Sequence, residues 1–334
     1  MKAVVLTAFG SADNFAMAEL PLPEVRPGDV RIRTKAVAFN PVDYQIRRGG
    51  PESGQVRSMI LGRDLSGIVD AVHDGVDDFG VGDEVYGYVC NLASSGTYAE
   101  YVSVPAELVA RKPASLSHAQ SAAVPVAAVT ASIALDKTRA GSASSVFIAG
   151  GAGGVGSFAI MLARQRGVRR LVTTAGNASS RAYLVEHCGL CDDDIVDYRD
   201  SRFVERAHER NGGGFEVVLD LVGGRMLSAC CALLAVDGNL ASITEAPTRD
   251  DFETLFDRNA SFHSVGAHAY SLTAERATWR KYRAILARLA TDFDSGALAP
   301  PPTRNLGALS AAVVRQAHLL LEGNGVQGKL VMSC

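Results

Sequence analysis

Several classes of protein need features that this chain lacks. Its 334 residues include only six cysteines, and Cys90, Cys188, Cys191, Cys230, Cys231 and Cys334 show no disulfide-framework spacing, as expected in a reducing compartment. Cys188-Gly189-Leu190-Cys191 is formally C-x-x-C, which reads as a redox pair, half of a zinc site or an ordinary helix end. No second C-x-x-C and no nearby H-x-x-x-H completes a metal set. There is no basic surplus: 33 Lys+Arg against 36 Asp+Glu leave a net charge of −3, too little positive field to gather nucleic acid. No apolar run is long enough to span a bilayer, and Met1-Lys2-Ala3-Val4-Val5-Leu6 reads as a strand rather than a signal peptide. The expectation is a soluble, cytoplasmic protein without nucleic-acid or membrane partners.

Apolar material is plentiful at 47% of residues, enough for two cores, and the length makes two domains the default. The first third reads as strands: Val30, Ile32 and Thr34 alternate with charged residues, and Ile68–Val72, Glu84–Val89 and Tyr98–Val104 follow between Gly, Asp and Pro turns. From Ser117 the pattern turns helical and then alternates strand and helix, which implies a doubly wound parallel sheet. Past Phe262 comes a long amphipathic helix with Trp279, Tyr282, Leu286 and Leu289 on one face, then a Pro300-Pro301-Pro302 break. A second helix runs over Ser310–Glu322 with Gly323 as its stop, and a strand spans Lys329–Met332.

One segment carries more chemistry than the rest. The apolar strand Val146-Phe147-Ile148-Ala149 runs into Gly150-Gly151-Ala152-Gly153-Gly154-Val155-Gly156, in which Gly151, Gly153 and Gly156 fit G-x-G-x-x-G. The first glycine permits the tight turn, the second lets backbone approach a pyrophosphate, and the third brings helix against strand. The helix that follows would point its N-terminal N–H groups and dipole at the anion. Leu171-Val172-Thr173-Thr174 is the next strand, and at its end an NAD site usually carries Asp or Glu for the ribose 2′-hydroxyl. Here the chain reads Ala175-Gly176-Asn177-Ala178-Ser179-Ser180-Arg181, neutral and then cationic, which favours NADPH. Arg181 would clamp the 2′-phosphate with Asn177 and Ser179 as donors, unless it is a solvated helix-surface arginine.

In collinear order the chain carries Asn40-Pro41-Val42-Asp43, Gly62-Arg63-Asp64-Leu65-Ser66-Gly67, Gly96-Thr97-Tyr98-Ala99-Glu100-Tyr101, Thr130-Ala131, the glycine loop, Asp197-Tyr198-Arg199, Asp220-Leu221-Val222-Gly223-Gly224 and Gly328-Lys329-Leu330-Val331. Over essentially its whole length it resembles the zinc-free quinone oxidoreductases of the medium-chain dehydrogenase/reductase superfamily. The resemblance implies an α/β fold in which a doubly wound Rossmann sheet, residues 122–263, binds NADPH. It pairs that sheet with a chaperonin-10-like β-barrel domain built from 1–121 and 264–334, the cofactor lying in the cleft between them. It further implies a homodimer joined through sheet edges of the nucleotide domains near Phe262–Tyr270.

The same resemblance implies site residues. Asn40 would lie beside the nicotinamide and Asp43 would position that loop; Tyr44 is a candidate proton donor, and Thr130 a contact for the nicotinamide ribose or phosphate. Tyr198 matches a tyrosine near the 2′-phosphate, Val222 and Ser242 face the cofactor, and Gly266-Ala267 approaches the carboxamide; Gly154 and Val155 complete the glycine loop. Each has a plain alternative: Asn40-Pro41 as a turn, Asp43 as a helix cap, Tyr44 as barrel packing, His263 and His268 as structural histidines. Zinc-dependent relatives hold the metal with a Cys where this chain has Asn40-Pro41-Val42-Asp43 and a His where it has Arg63. Arg63 either replaces part of that lost charge or pairs with Asp64 or Asp43. Without a Lewis acid, hydride transfer needs a conjugated, electron-poor acceptor, so the expected substrate is a quinone or, alternatively, an enone. A binding protein with little turnover is the third reading.

Overall fold

The computed structural model describes residues 1–50, 52–89, 95–142, 144–273, 275–323 and 325–334, and divides into two compact units, Met1–Val129 with His268–Cys334 and Thr130–Ala267. Cys90 lies outside the described residues.

The chain opens with a two-stranded ribbon, β1 (Lys2–Leu6) and β2 (Phe15–Glu19). Then come β3 (Asp29–Ala38), α1 (Pro41–Arg47), β4 (Asp64–Val72), β5 (Glu84–Tyr88), β6 (Tyr101–Pro105) and β7 (Val109–Arg111). In β3 Val30 and Ile32 are fully buried while Arg31 and Arg33 point the other way, the period-2 pattern of a half-buried strand. Helices α2 (His118–Ala122) and α3 (Pro125–Lys137) carry the chain into the second unit.

That unit alternates β8 (Ser145–Ala149), α4 (Gly154–Gln165), β9 (Arg170–Thr174), α5 (Ala178–Glu186), β10 (Ile195–Val196), α6 (Phe203–Asn211), β11 (Phe215–Asp220), α7 (Arg225–Leu233), β12 (Leu234–Ser242), α8 (Arg249–Asp257) and β13 (Ser261–Ser264). Its six strands lie in the order β10-β9-β8-β11-β12-β13, every pair parallel. The order reverses between β8 and β11, the place where doubly wound sheets open a crevice at their carboxyl ends. Buried on both faces, β8 is apolar without alternation.

The chain returns to the first unit through α9 (Arg276–Asp294), β14 (Thr303–Ala308), α10 (Ala311–Glu322) and β15 (Lys329–Ser333). On α9 the expected face is the buried one: Tyr282, Leu286 and Leu289 have no exposed surface, and the Tyr86 hydroxyl of β5 donates to the Leu286 carbonyl at 2.6 Å. Gly323 is the C-cap of α10, as its sequence position suggests. β15 lies between β14, which it pairs in parallel, and β3, which it pairs antiparallel, so the chain's last strand sits inside the seven-stranded sheet. No described helix is long and apolar enough to cross a membrane.

Candidate functional site

In the second unit, the glycine turn joins β8 to α4. A Cβ on Gly151 would stand 2.1 Å from the Thr173 hydroxyl, and one on Gly156 would stand 2.2 Å from the Gly150 carbonyl oxygen, so both positions admit only glycine. Gly153 is the N-cap of α4, and Gly154, Val155 and Gly156 form its first turn, with backbone donors directed outward as an anion site requires.

The other expected cofactor residues gather along the same edge, at or just past the carboxyl ends of the parallel strands. Asn177 follows β9 and caps α5, its Oδ1 accepting from Ser180 N at 2.8 Å. Half-exposed Tyr198 follows β10, and a Cβ on Gly176 would come within 2.5 Å of its ring, so Gly176 seats the tyrosine. Val222 is exposed past β11, Ser242 ends β12, and Gly266 and Ala267 follow β13. Thr130 is buried on α3.

Arg181 departs from the expectation of a free phosphate clamp. Its guanidinium donates to Asp192 Oδ1 at 2.7 Å and to the Asp192 and Ile195 carbonyls at 3.0 Å, so it braces the turn leading into β10. A fork already filled by a carboxylate and two carbonyls cannot offer a second anion the same bidentate face.

Asp220, at the end of β11, organises this edge. Fully buried, it accepts from the backbone of Val222 and Gly223 through Oδ1 and from the hydroxyls of Ser242 and Thr244 through Oδ2. Four donors on one carboxylate hold the β11 and β12 turns in register, with Val222 beside Gly150. The sequence signal is an acid ending an apolar strand, separated by two residues from a glycine pair.

The second cluster belongs to the first unit. Asn40 is the N-cap of α1, and its backbone N–H donates to Asp43 Oδ2 at 2.8 Å, so Asp43 does cap that turn. The Asn40 side chain lies between two charges: Nδ2 donates to Asp64 Oδ2 at 2.8 Å, and Oδ1 accepts from the Lys329 ammonium at 2.5 Å. Lys329 also reaches Asp64 at 3.3 Å, and Asp64 Oδ1 receives the Val126 N–H in the first turn of α3 at 2.7 Å. Lys329 was missed because its partners lie far away in sequence.

Arg63 is buried, and its ion pair is with Glu52 rather than with Asp64 or Asp43. Arg63 and Asp64 are consecutive residues at the start of an extended strand and point to opposite faces, so sequence adjacency kept them apart. Glu52 in turn lies 3.6 Å from His268 Nδ1, which gives that histidine a carboxylate neighbour unseen in the sequence. Tyr44 is half-buried on α1.

Behind Asn40 the core is unusually polar. Burial, opposed by the Asn40 N–H and Arg63, pushes the Asp43 carboxyl up to about 6. The Tyr98 hydroxyl faces Asp43 and lies 3.3 Å from Nε2 of His318, a histidine packed edge-on against Phe15 and pushed down to about 3 by burial. The two shifts act on stability with opposite sign. A neutral His318 loses stability for the fold as pH falls from about 6.5 toward 3, whereas Asp43, protonated more readily when folded, returns it between about 6 and 4. His318→Leu removes only the first effect. Between pH 6 and 4 the variant is expected to gain about 1.4 kcal/mol per pH unit relative to wild type in urea unfolding. A pH-independent difference would show that His318 is not held neutral.

The C-x-x-C motif is an ordinary helix end: Cys188 and Cys191 are free thiols, and burial pushes Cys188 up to about 11, far from thiolate chemistry. Among the described residues no three His, Cys, Asp or Glu side chains converge as a metal site.

Comparison with known proteins matches residues 26–114 to the family described as alcohol dehydrogenase GroES-like domain and residues 192–332 to that described as zinc-binding dehydrogenase. The chain is similar to 2-methylene-furan-3-one reductase of Solanum lycopersicum, 34% identical over 78% of this chain but only 66% of that protein, just under two thirds of its length. It is also similar to a chloroplastic NADPH-dependent alkenal/one oxidoreductase of Arabidopsis thaliana, 28% identical over 99% of this chain and 79% of that protein. Among solved structures, the quinone oxidoreductase of Coxiella burnetii superposes with a TM-score of 0.82 at 28% identity, covering 100% of this chain and 99% of that one.

The zinc named in the second family description does not fit the cluster around Asn40. Its groups are an amide, an ammonium and a carboxylate already bonded to one another, and Asn40 and the separately paired Arg63 offer neither thiolate nor imidazole. The GroES-like and dehydrogenase regions, the parallel sheet with its glycine turn and the full-length superposition lead to one assignment: the chain belongs to the medium-chain dehydrogenase/reductase superfamily.

Proposed function

We propose that the protein is an oxidoreductase that uses NADPH to reduce a carbonyl compound conjugated to a carbon–carbon double bond, a class that includes quinones and α,β-unsaturated ketones and aldehydes. The observation that carries the proposal is the cluster of Asn40, Lys329 and Asp64. It offers hydrogen bonds and fixed charge to an oxygen, but no Lewis acid, so the acceptor must already be electron-poor.

The residues fit the cofactor. Gly151 and Gly156 form a turn that a Cβ would fill, and the first turn of α4 offers its N–H groups to a pyrophosphate. The β9 end is free of carboxylate, so a 2′-phosphate meets Asn177 and Tyr198 rather than an acid, which favours NADPH over NADH. When bound, NADPH supplies the hydride. The chain's own residues orient the acceptor and stabilise negative charge on its oxygen while solvent delivers the proton.

Between acceptors, the names of the tomato and Arabidopsis relatives support the enone reading, and the Coxiella structure supports the quinone reading. Following NADPH oxidation at 340 nm against quinones, enones and enoyl thioesters separates them. Turnover with quinones alone supports a quinone reductase, and turnover with enones supports an ene-reductase. Tight NADPH binding without consumption by any acceptor overturns the enzymatic proposal.

A further inference from the structure

The geometry points to Lys329 and Asp64 as positioning residues that set the Asn40 amide as hydrogen-bond donor to the acceptor's developing oxyanion; this rests on the reductase reading above. The side-chain O and NH₂ of an asparagine are nearly isosteric, so something must choose between its two flips. Here the choice is made by charge. The Lys329 ammonium can only donate and takes Oδ1 at 2.5 Å, whereas the Asp64 carboxylate can only accept and takes Nδ2 at 2.8 Å. Reversal would set NH₂ against an ammonium and oxygen against a carboxylate.

All three side chains are 5% exposed or less, so water screens little of this preference. Nδ2 carries two hydrogens, one given to Asp64. The ammonium on Oδ1 draws electron density from the amide and strengthens the second N–H as a donor. Lys329 and Asp64 cancel in net charge, so the site presents a fixed dipole at no cost in reorganisation. An enone that accepts hydride at its β-carbon shifts its π pair toward the carbonyl. Its oxygen then carries negative charge until solvent protonates the α-carbon, with NADPH oxidised to NADP⁺. The second Asn40 N–H serves that oxygen.

The test uses the charge-neutral double variant Asp64→Asn/Lys329→Met, which leaves no buried ion unpaired. The introduced amide can still accept from Val126 N while turning its NH₂ toward Asn40, which favours the flipped Asn40 amide. In the full chain kcat is expected to fall about 10- to 100-fold, with KM for NADPH within about two-fold. Made on an Asn40→Ala background, the same pair of changes is expected to cost nothing further. A kcat near wild type, or an equal fall without the Asn40 amide, overturns the inference. Should wild type reduce no acceptor, the reductase reading fails by itself. Positioning is then read from the Asn40 side-chain amide resonances of ¹⁵N-labelled protein, which are expected to shift and lose exchange protection in the double variant; unchanged resonances overturn it.

Discussion

Replacing Lys329 with methionine alone is expected to destabilise the first unit by about 3–5 kcal/mol, because Asp64 would remain fully buried with its counter-charge gone. Burial already pushes the Asp64 carboxyl up, and Lys329 is the main influence holding it down. Adding Asp64→Asn removes the stranded charge and is expected to restore most of the loss. Urea unfolding of wild type, single and double variants measures this directly. A single variant within about 1 kcal/mol of wild type would mean that the pair is not load-sharing with the fold in this way. The comparison also separates two roles of Lys329, since the double variant recovers stability while the orientation of Asn40 stays lost.

Gly156→Ala is expected to weaken NADPH binding about 100-fold, equivalent to about 3 kcal/mol. The obstacle to a methyl group is backbone on both sides, the Gly150 carbonyl oxygen at 2.2 Å and Gly151 Cα at 2.7 Å, so α4 must back away from the turn and its N–H groups leave the anion. Gly153→Ala makes a useful contrast. Its Cβ would meet nothing nearer than the Gly150 carbonyl oxygen at 3.3 Å, so stability is expected to hold while affinity drops through crowding of the phosphate. Calorimetric titration with NADPH and thermal unfolding of both variants check the pair. Equal stability and unchanged affinity for Gly156→Ala would remove the glycine turn from the site.

Residues that answer to local rules were legible from the sequence. β8, the glycine turn and α4 follow from apolar run, glycine spacing and helical stripe, and the buried face of α9 from Tyr282, Leu286 and Leu289. Elements at sheet edges were harder. β14 exposes most of its residues and β13 none of its four to full burial, so neither shows an apolar signature. In the site, the glycine loop and the helix-capping Asp43 are local and were visible. The partners of Arg63, Arg181 and Lys329 were not, because charge pairing is decided by which strand faces which, and nothing local records it. Glu52, Asp192 and Asp64 had equally plausible rivals nearby in sequence.

The placement of β15 bears on how the polypeptide assembles during synthesis. The contact of Lys329 with Asn40 closes over 289 residues, and the whole of the second unit is inserted between them. A ribosome emitting roughly 5–20 residues per second would release the contiguous parallel-sheet unit well before the strand that completes the first sheet. Until β15 arrives, β3 keeps an open edge and Asp64 has no ammonium beside it. The inner unit can therefore fold as a continuous stretch while the outer one waits, and chaperone demand should concentrate on the earlier-made strands rather than on the nucleotide fold.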